Sequence, residues 1–493
     1  MARICGESGI ANRVNGEELR VTAIGEGANL GATQAGRIAF SERGGRINTD
    51  FIDNSAGVDC SDNEVNIKIA LNREMIEGRL DFEDRNAFLS SMTDDVAAIV
   101  LEDNRLQTLA LSLAERGGAA ALPGYVRVIE TLEAMGRLDR AVEGLAGNEA
   151  LLRRAQDDQG LTRPELAVLL SHAKLALQAR IEKADFAQDP ALRPLLHAAF
   201  PPAMRARFAD AIDQHRLRPE IIATKMANRV VNRLGAVIPF ELAEEEGVSI
   251  AQVAAAYFAA DAIFGFEELW HRIETATVAE EARLTLFRVL AGIARLHLAD
   301  LIRIAATETG PGPMIERLAP GITRLDSAVE ALLRDEARLQ SAALRTLIGG
   351  YGADPALIDR IVRLAELDGA IGTATLAADT GVDEVAATAA YVRLGEALGL
   401  DWAKSAAIRF QATDPWERLL TAGLARDFEQ LRLDFLERQG SPDPTAMVEM
   451  WLETHRNRVL QFRALIDRAR AAPAATAAML AQIAGQARVL LAR

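Results

Sequence analysis

A chain of 493 residues with 49% apolar and 25% charged side chains can bury several cores, roughly two to four domains' worth, and is too apolar to stay disordered. Its net charge of −15 disfavours nucleic acid or an anionic membrane as a partner, because phosphate binding needs a basic face. No apolar run is long enough to cross a bilayer, and the opening MARICGESGI lacks the apolar stretch of a secretory signal, so a cytoplasmic protein with no membrane partner is expected.

The first elements read as α/β. Leu19, Val21, Ala23 and Ile24 form a short apolar run suited to a buried strand, punctuated by Gly25, Gly27 and Gly31. A helix fits Thr33 to Glu42 with Gly44 and Gly45 as its stop, and Arg46 to Thr49 is a candidate second strand. Strand, short helix and strand at this spacing make one parallel crossover, too little for a stable doubly wound sheet by itself. Past Glu64, the alternation of Val65, Ile67, Ile69 and Leu71 suits strand or helix by period alone and is taken as helix. Mixed three- and four-residue spacing then runs to Gly117 and Gly118.

From about residue 121 onward nearly everything reads as helix. Thr162 with Glu165 is a capping box; Asp414, Pro415 and Glu417 mark another start, and Ser249 with Gln252 a third. TETGPGPM at 307–314 is the strongest loop signal in this region, and the alanine-biased AAPAATAAMLAQIAGQ predicts a weakly packed last helix. The arginines at 216, 218, 229 and 233 and the acidic run Glu244–Glu246 read as solvated helix faces. The expected class is therefore mainly α with a short N-terminal α/β part. The expected division is 1–66 for that part, 67–120 for connecting helices and 121–493 for a helical C-terminal domain.

Chemistry-bearing motifs are few. Cys5 and Cys60 cannot build a disulfide framework, and six scattered histidines without an HxxxH pair predict no metal centre; His172 and His297 read as surface or satisfied core residues. Lysine is confined to positions 68, 174, 183, 225 and 404. GxGxxG, the Walker loop, GxSxG and HExxH are all absent; the nearest signal is GEGANLG, which on its own is usually a plain turn. It gains weight from GGRINTDFIDNSAGVDCSDNEVNIK. Asn29 and Asn54 would each follow a strand's carboxyl end, where open parallel sheets bind ligands. An asparagine amide both donates and accepts, which suits a ribose hydroxyl or a carboxamide. The small neighbours Gly27 and Ala28 let a ligand approach the backbone, and Ser61 can offer a hydroxyl to a carboxylate. The plainer reading of NTDFIDNSAG is a polar turn with Asx caps.

The stretch GEGANLGATQAGRIAFSERGGRINTDFIDNSAGVDCSDNEVNIKIALN resembles the end of the cofactor domain of glutamate dehydrogenases, in particular the large bacterial NAD-dependent class. GLTRPELAVLLSHAKLAL, HRLRPEIIATKMANRVVNRLG and DPWERLLTAGLARDFEQL resemble that class too, so the likeness runs from about residue 11 to the end. It implies a remnant of a Rossmann-type parallel sheet followed by a large helical domain. It also implies NAD as cofactor, L-glutamate and 2-oxoglutarate as substrate and product, and a homo-oligomeric enzyme. By position it puts Gly27, Ala28, Asn29 and Asn54 beside the nicotinamide end of the cofactor and Ser61 beside the substrate's distal carboxylate. Ala56-Gly57 stands where many short relatives carry two glycines.

No catalytic residue is assigned. The family's catalytic lysine, its second substrate-binding lysine, its aspartate and its phosphate-binding loop find no counterpart, and Lys68 reads as a helix residue. The expectation is thus a C-terminal portion of the enzyme, inactive alone, completed by an N-terminal catalytic part in the same chain or another. The alternative is a stand-alone helical scaffold or regulatory module with a vestigial nucleotide-binding edge.

Overall fold

A computed structural model describes residues 3–4, 14–27, 31–184, 186–305, 310–412 and 414–492. The protein is mainly α, and among the described residues the strands all precede residue 50. Residues group into two compact units: Met1–Ala243 with Ser249–Ala254, and Glu244–Val248 with Ala255–Arg493. The division falls inside the stretch 121–493 that reads from sequence as one helical domain.

In the first unit, β1 (Arg3–Ile4) pairs antiparallel with β2 (Val14–Asn15), and β3 (Ala23–Ile24) pairs parallel with β4 (Arg46–Ile47), Ala23 opposite Arg46 and Ile24 opposite Ile47. The crossover between β3 and β4 is α1 (Gln34–Glu42), started by Thr33, whose hydroxyl accepts from the Gly36 N–H at 3.1 Å. Both strands are shorter than expected. The pairing stops at two residues because Leu19 to Val21 lie outside it, with Val21 54% exposed. The ambiguous segment after residue 64 is helical: α2 (Asp50–Asp53) leads into α3 (Ser55–Ile76), which buries Ile67, Ala70 and Leu71. α4 (Phe82–Ser91) and α5 (Thr93–Glu115) follow, and α5 packs against α3.

The centre of this unit is the Arg163–Lys183 helix, packed along Arg218–Leu234 and against α1 and α5. Its capping box forms as expected: the Glu165 carboxylate accepts from the Thr162 N–H and from the Thr162 hydroxyl, both at 2.7 Å. Glu165 is also 1% exposed and holds Arg154 through two bonds of 2.8 and 2.9 Å, so the cap doubles as a buried ion pair. Arg233 is buried rather than solvated, because it sits on the packed face of its helix next to Val230 and Leu234.

In the second unit the Pro415–Gln439 helix is central. It packs against Leu400–Ile408, Glu384–Leu398 and Ala370–Thr380, and against the last helix, Ala477–Leu491. That last helix is not weakly packed: Leu480, Ile483, Ala484, Ala487 and Leu491 are buried at the spacing of one helix face, so its alanines serve close approach. The Asp414 cap and the reciprocal Ser249–Gln252 cap both form. Of the expected loop at 307–314, residues 307–309 lie outside the described residues, and Pro311 to Met314 open the Pro311–Leu332 helix, with proline in its first turn.

The acidic run is also corrected. Glu245 and Glu246 have side chains 3% and 6% exposed, and they pair with Arg295 at 2.6 Å and Arg426 at 2.8 Å. Burial pushes the Glu245 carboxyl upward, and the two arginines counter it.

Candidate functional site

The turn after β3 and the start of α3 meet through a chain of hydrogen bonds. The Glu26 N–H donates to Asp53 Oδ2 at 2.9 Å, which ties the glycine turn to the residue before Asn54. Asp53 Oδ1 accepts from Asn48 Nδ2 at 2.6 Å, and Arg163 Nε donates in turn to Asn48 Oδ1. Glu26 is held from the other side by Arg37, which donates to both its carboxylate oxygens at 2.7 and 2.9 Å and pairs with Asp50 at 3.0 Å. The Glu26 and Arg37 side chains are 4% and 7% exposed, so the turn is anchored by a buried bidentate ion pair.

Asn54 is the residue at which α2 ends and α3 begins. Asn104, from α5, fixes this junction by donating to the Ile52 carbonyl at 3.0 Å and to Ser55 Oγ at 2.9 Å. Ser61 lies two turns along α3, exposed, its hydroxyl donating to the Gly57 carbonyl at 3.3 Å. Asn54 and Ser61 are seven residues apart and so share one helix face. Gly27 is exposed, and a Cβ there would meet nothing within 4 Å, which leaves the space beside the turn open. Ala28 and Asn29 lie outside the described residues.

The structure thus brings Gly27, Asn54 and Ser61 to neighbouring points around one turn and one helix start. The residues that position them, Glu26, Arg37, Asn48, Asp53, Asn104 and Arg163, were not singled out from sequence. Asn48 and Asp53 belong to the polar turn that was read, but Arg37 reaches it from the crossover helix and Asn104 and Arg163 from helices far along the chain, and no local pattern marks them. Lys68 is a half-buried helix residue paired with Glu64.

Behind α3 lies a polar layer. Asp59 Oδ1 accepts from Asn63 Nδ2 at 3.0 Å, while Asp59 Oδ2 is buried with no partner among the described residues; burial and the nearby Asp103 push its carboxyl upward. Lys225 donates to Asp103 at 2.6 Å. Lys174 donates to the neutral Gln107 at 3.0 Å, and burial, countered in part by the charge of Asp103, lowers its ammonium to about 7.

The second unit holds a different charged cluster, in which oxygens of Asp300, Asp368 and Glu429 lie within 4.8 Å of one another. Lys404 stands among them, 2.8 Å from both Asp368 and Glu429, and Arg303 pairs with Asp300. Amines and guanidinium therefore supply the counter-charge. Arg432, 1% exposed, donates to Asp401 at 2.5 Å and lies 3.9 Å from the centre of the Tyr391 ring. Only glycine fits at 395, since a Cβ there would collide with both the Arg432 guanidinium and the Asp401 carboxylate. Among the described residues no single helix is long and apolar enough to cross a membrane.

The first unit's candidate site is a glycine turn after one strand of a parallel pair, hydrogen-bonded to the residue before a helix start, carried on a mainly helical protein. Comparison with known proteins makes the class specific. Residues 158–488 match the family model "Glutamate dehydrogenase, C-terminal", and residues 2–114 match "Bacterial NAD-glutamate dehydrogenase, catalytic domain". The chain belongs to the glutamate dehydrogenase family.

Among its relatives, the NAD-specific glutamate dehydrogenase of Pseudomonas aeruginosa is 36% identical over 477 residues, covering 95% of this chain and 29% of the relative. That of Halomonas elongata is 34% identical over 477 residues, covering 94% and 29%. That of Mycobacterium tuberculosis is 34% identical over 490 residues, covering 97% and 30%. The chain thus spans less than a third of the length of these curated relatives. The comparisons lend no support to the alternative of a stand-alone scaffold.

Proposed function

We propose that this chain is the part of an NAD-dependent glutamate dehydrogenase that carries one edge of the cofactor and substrate site together with a large helical region. The observation that carries the reading is the match of residues 2–114 to the bacterial catalytic-domain model, which covers Gly27, Asn54 and Ser61. The parallel strand–helix–strand unit is read as the last part of a Rossmann-type sheet.

The donor set fits the nicotinamide end of a dinucleotide. Asn54 offers an amide beside a helix start, and the bare Gly27 turn leaves room for the ring. Bound NAD would accept the hydride from the α-carbon of L-glutamate, on the way to 2-oxoglutarate and ammonia. This chain's residues would align the two partners: Gly27 and Asn54, with Ala28 and Asn29 beside them, toward the cofactor, and Ser61 toward the distal carboxylate. The Arg37–Glu26 pair and Asn104 hold that alignment from behind. Proton transfer at the amine falls to residues beyond this chain, and the parent enzyme is read as a cytoplasmic homo-oligomer.

The test is Asn54→Ala in the complete enzyme. Single-turnover hydride transfer should fall by about a hundredfold or more with the fold intact, since small misplacements in this step carry large rate penalties. An unchanged rate overturns the assignment. The 493 residues alone should give no glutamate-dependent NADH; turnover would refute the reading that the acid and base lie elsewhere.

A further inference from the structure

The last two helices of the second unit, Arg456–Arg470 and Ala477–Leu491, carry six arginines and one aspartate in a chain whose net charge is −15. Four of the six arginines have a carboxylate. Arg456 meets Glu453 at 3.8 Å, Arg463 meets Asp467 at 3.7 Å, Arg470 meets Glu336 at 2.6 Å and Arg488 meets Asp427 at 2.8 Å. Arg458 and Arg468 are exposed and meet no carboxylate among the described residues. Those two line a groove of about 420 Å³ between the helices, and no acidic residue lines it with them.

The groove is built from two stripes. On the first helix Arg458, Gln461, Leu465 and Arg468 recur at spacings of three, four and three; on the second, Gln482, Gln486 and Val489 recur at four and three. Such spacing keeps each set on one face of its helix. Phe462 and Leu490 line the groove as buried residues that join it to the core, while Val489 is 58% exposed. Ten residues of helix put the two arginine positions about 15 Å apart. Cations thus stand at both ends of one stripe, with Leu465 between them and glutamine amides, which donate and accept, beside it.

We propose that this groove seats an acidic amphipathic helix of a partner protein, with two carboxylates about ten residues apart on Arg458 and Arg468 and an apolar stripe between them on Leu465 and Val489. Side chains spaced at three and four on one helix pack between side chains so spaced on another. Nucleic acid fits less well, because closely spaced phosphates want a cation at each, and here glutamines occupy the interval. The same hairpin of a second copy also fits less well, since two such faces would set arginine against arginine. The surface lies within the second unit and does not depend on the dehydrogenase reading.

Fluorescence anisotropy of the 493-residue chain tests it with a labelled synthetic helix of about 18 residues, in which leucines at three- and four-residue spacing lie between two glutamates about ten positions apart. A second peptide with glutamine for both glutamates is the control. The acidic peptide should bind saturably and about tenfold or more tighter than the control at low salt, and the difference should shrink as salt is added. Arg458→Gln with Arg468→Gln should bring the acidic peptide down to the control, with helix content unchanged because both arginines are exposed. Val489→Glu should weaken both peptides, since it places a charge against their leucines. Absence of saturable binding, equal binding of the two peptides, or binding indifferent to the arginine pair each overturns the proposal. So does displacement of the acidic peptide by a single-stranded oligonucleotide that binds tighter, which would make the groove a nucleic-acid site. Self-association of the chain that the arginine pair abolishes would make a second copy the occupant and overturns it too.

Discussion

Lys174 shows how much a single side chain can depart from its ordinary chemistry. Unfolded, it titrates near 10.4; folded, burial brings it to about 7. Between those values the unfolded chain holds a proton that the folded chain has lost, so stability rises with pH across that window, and below about 7 the penalty is complete. Lys174→Met should therefore raise the melting temperature by a few degrees at pH 7, and the gain should shrink toward pH 10. Equal gains at both values would mean that the lysine is not titrating as its burial demands. The pair of Glu26 and Arg37 works the other way. Glu26→Ala leaves a buried guanidinium with Asp50 and a long bond to Gln34, and should cost about 3 kcal/mol in denaturant unfolding of the first unit. None of this was visible from composition, which gives a lysine or a glutamate no address. The asparagine and serine of the site were legible because they sit in a short contiguous motif. Arg37 and Arg163 were not, because they reach the site from other helices.

Helices were read well where their ends carry chemistry. Thr162–Glu165, Asp414 and Ser249–Gln252 all cap as expected, since a cap is settled by residues three apart. What the cap pattern could not show is that Glu165 also binds Arg154. Thr162→Ala should cost about 1 kcal/mol, whereas Glu165→Ala should cost about 3 to 5 kcal/mol because it strands a partly buried arginine. Equal losses in urea titration would mean that the ion pair contributes nothing beyond the cap. The last helix was underrated for a related reason: alanine has no strong periodic signature, yet it lets two helices come close. Leu480 is fully buried there, and Leu480→Ala should cost about 2 to 5 kcal/mol of second-unit stability. The strands were overextended because apolar runs mark a buried strand's presence better than its length.

At the scale of the whole molecule, sequence reading placed the α/β start and the helical remainder but not the division near residue 250. The acidic run there looks like a solvated face in one dimension and proves to be a buried counter-charge in three. A chain starting at 244 keeps Glu245 and Glu246 for Arg295 and Arg426; one starting at 255 does not. The shorter fragment should melt lower, by about 2 kcal/mol or more of lost pairing. Identical melting curves by circular dichroism would show those carboxylates to be idle.

The chain changes unit three times between Ala243 and Ala255. A gene broken once in that interval deprives one product of a piece of its own core or counter-charge: cut after 243, the first loses Ser249–Ala254, and cut after 254, the second loses Glu244–Val248. Recombination that shuffles intact modules has no clean breakpoint here, so lineages should inherit the two units together or rebuild the seam.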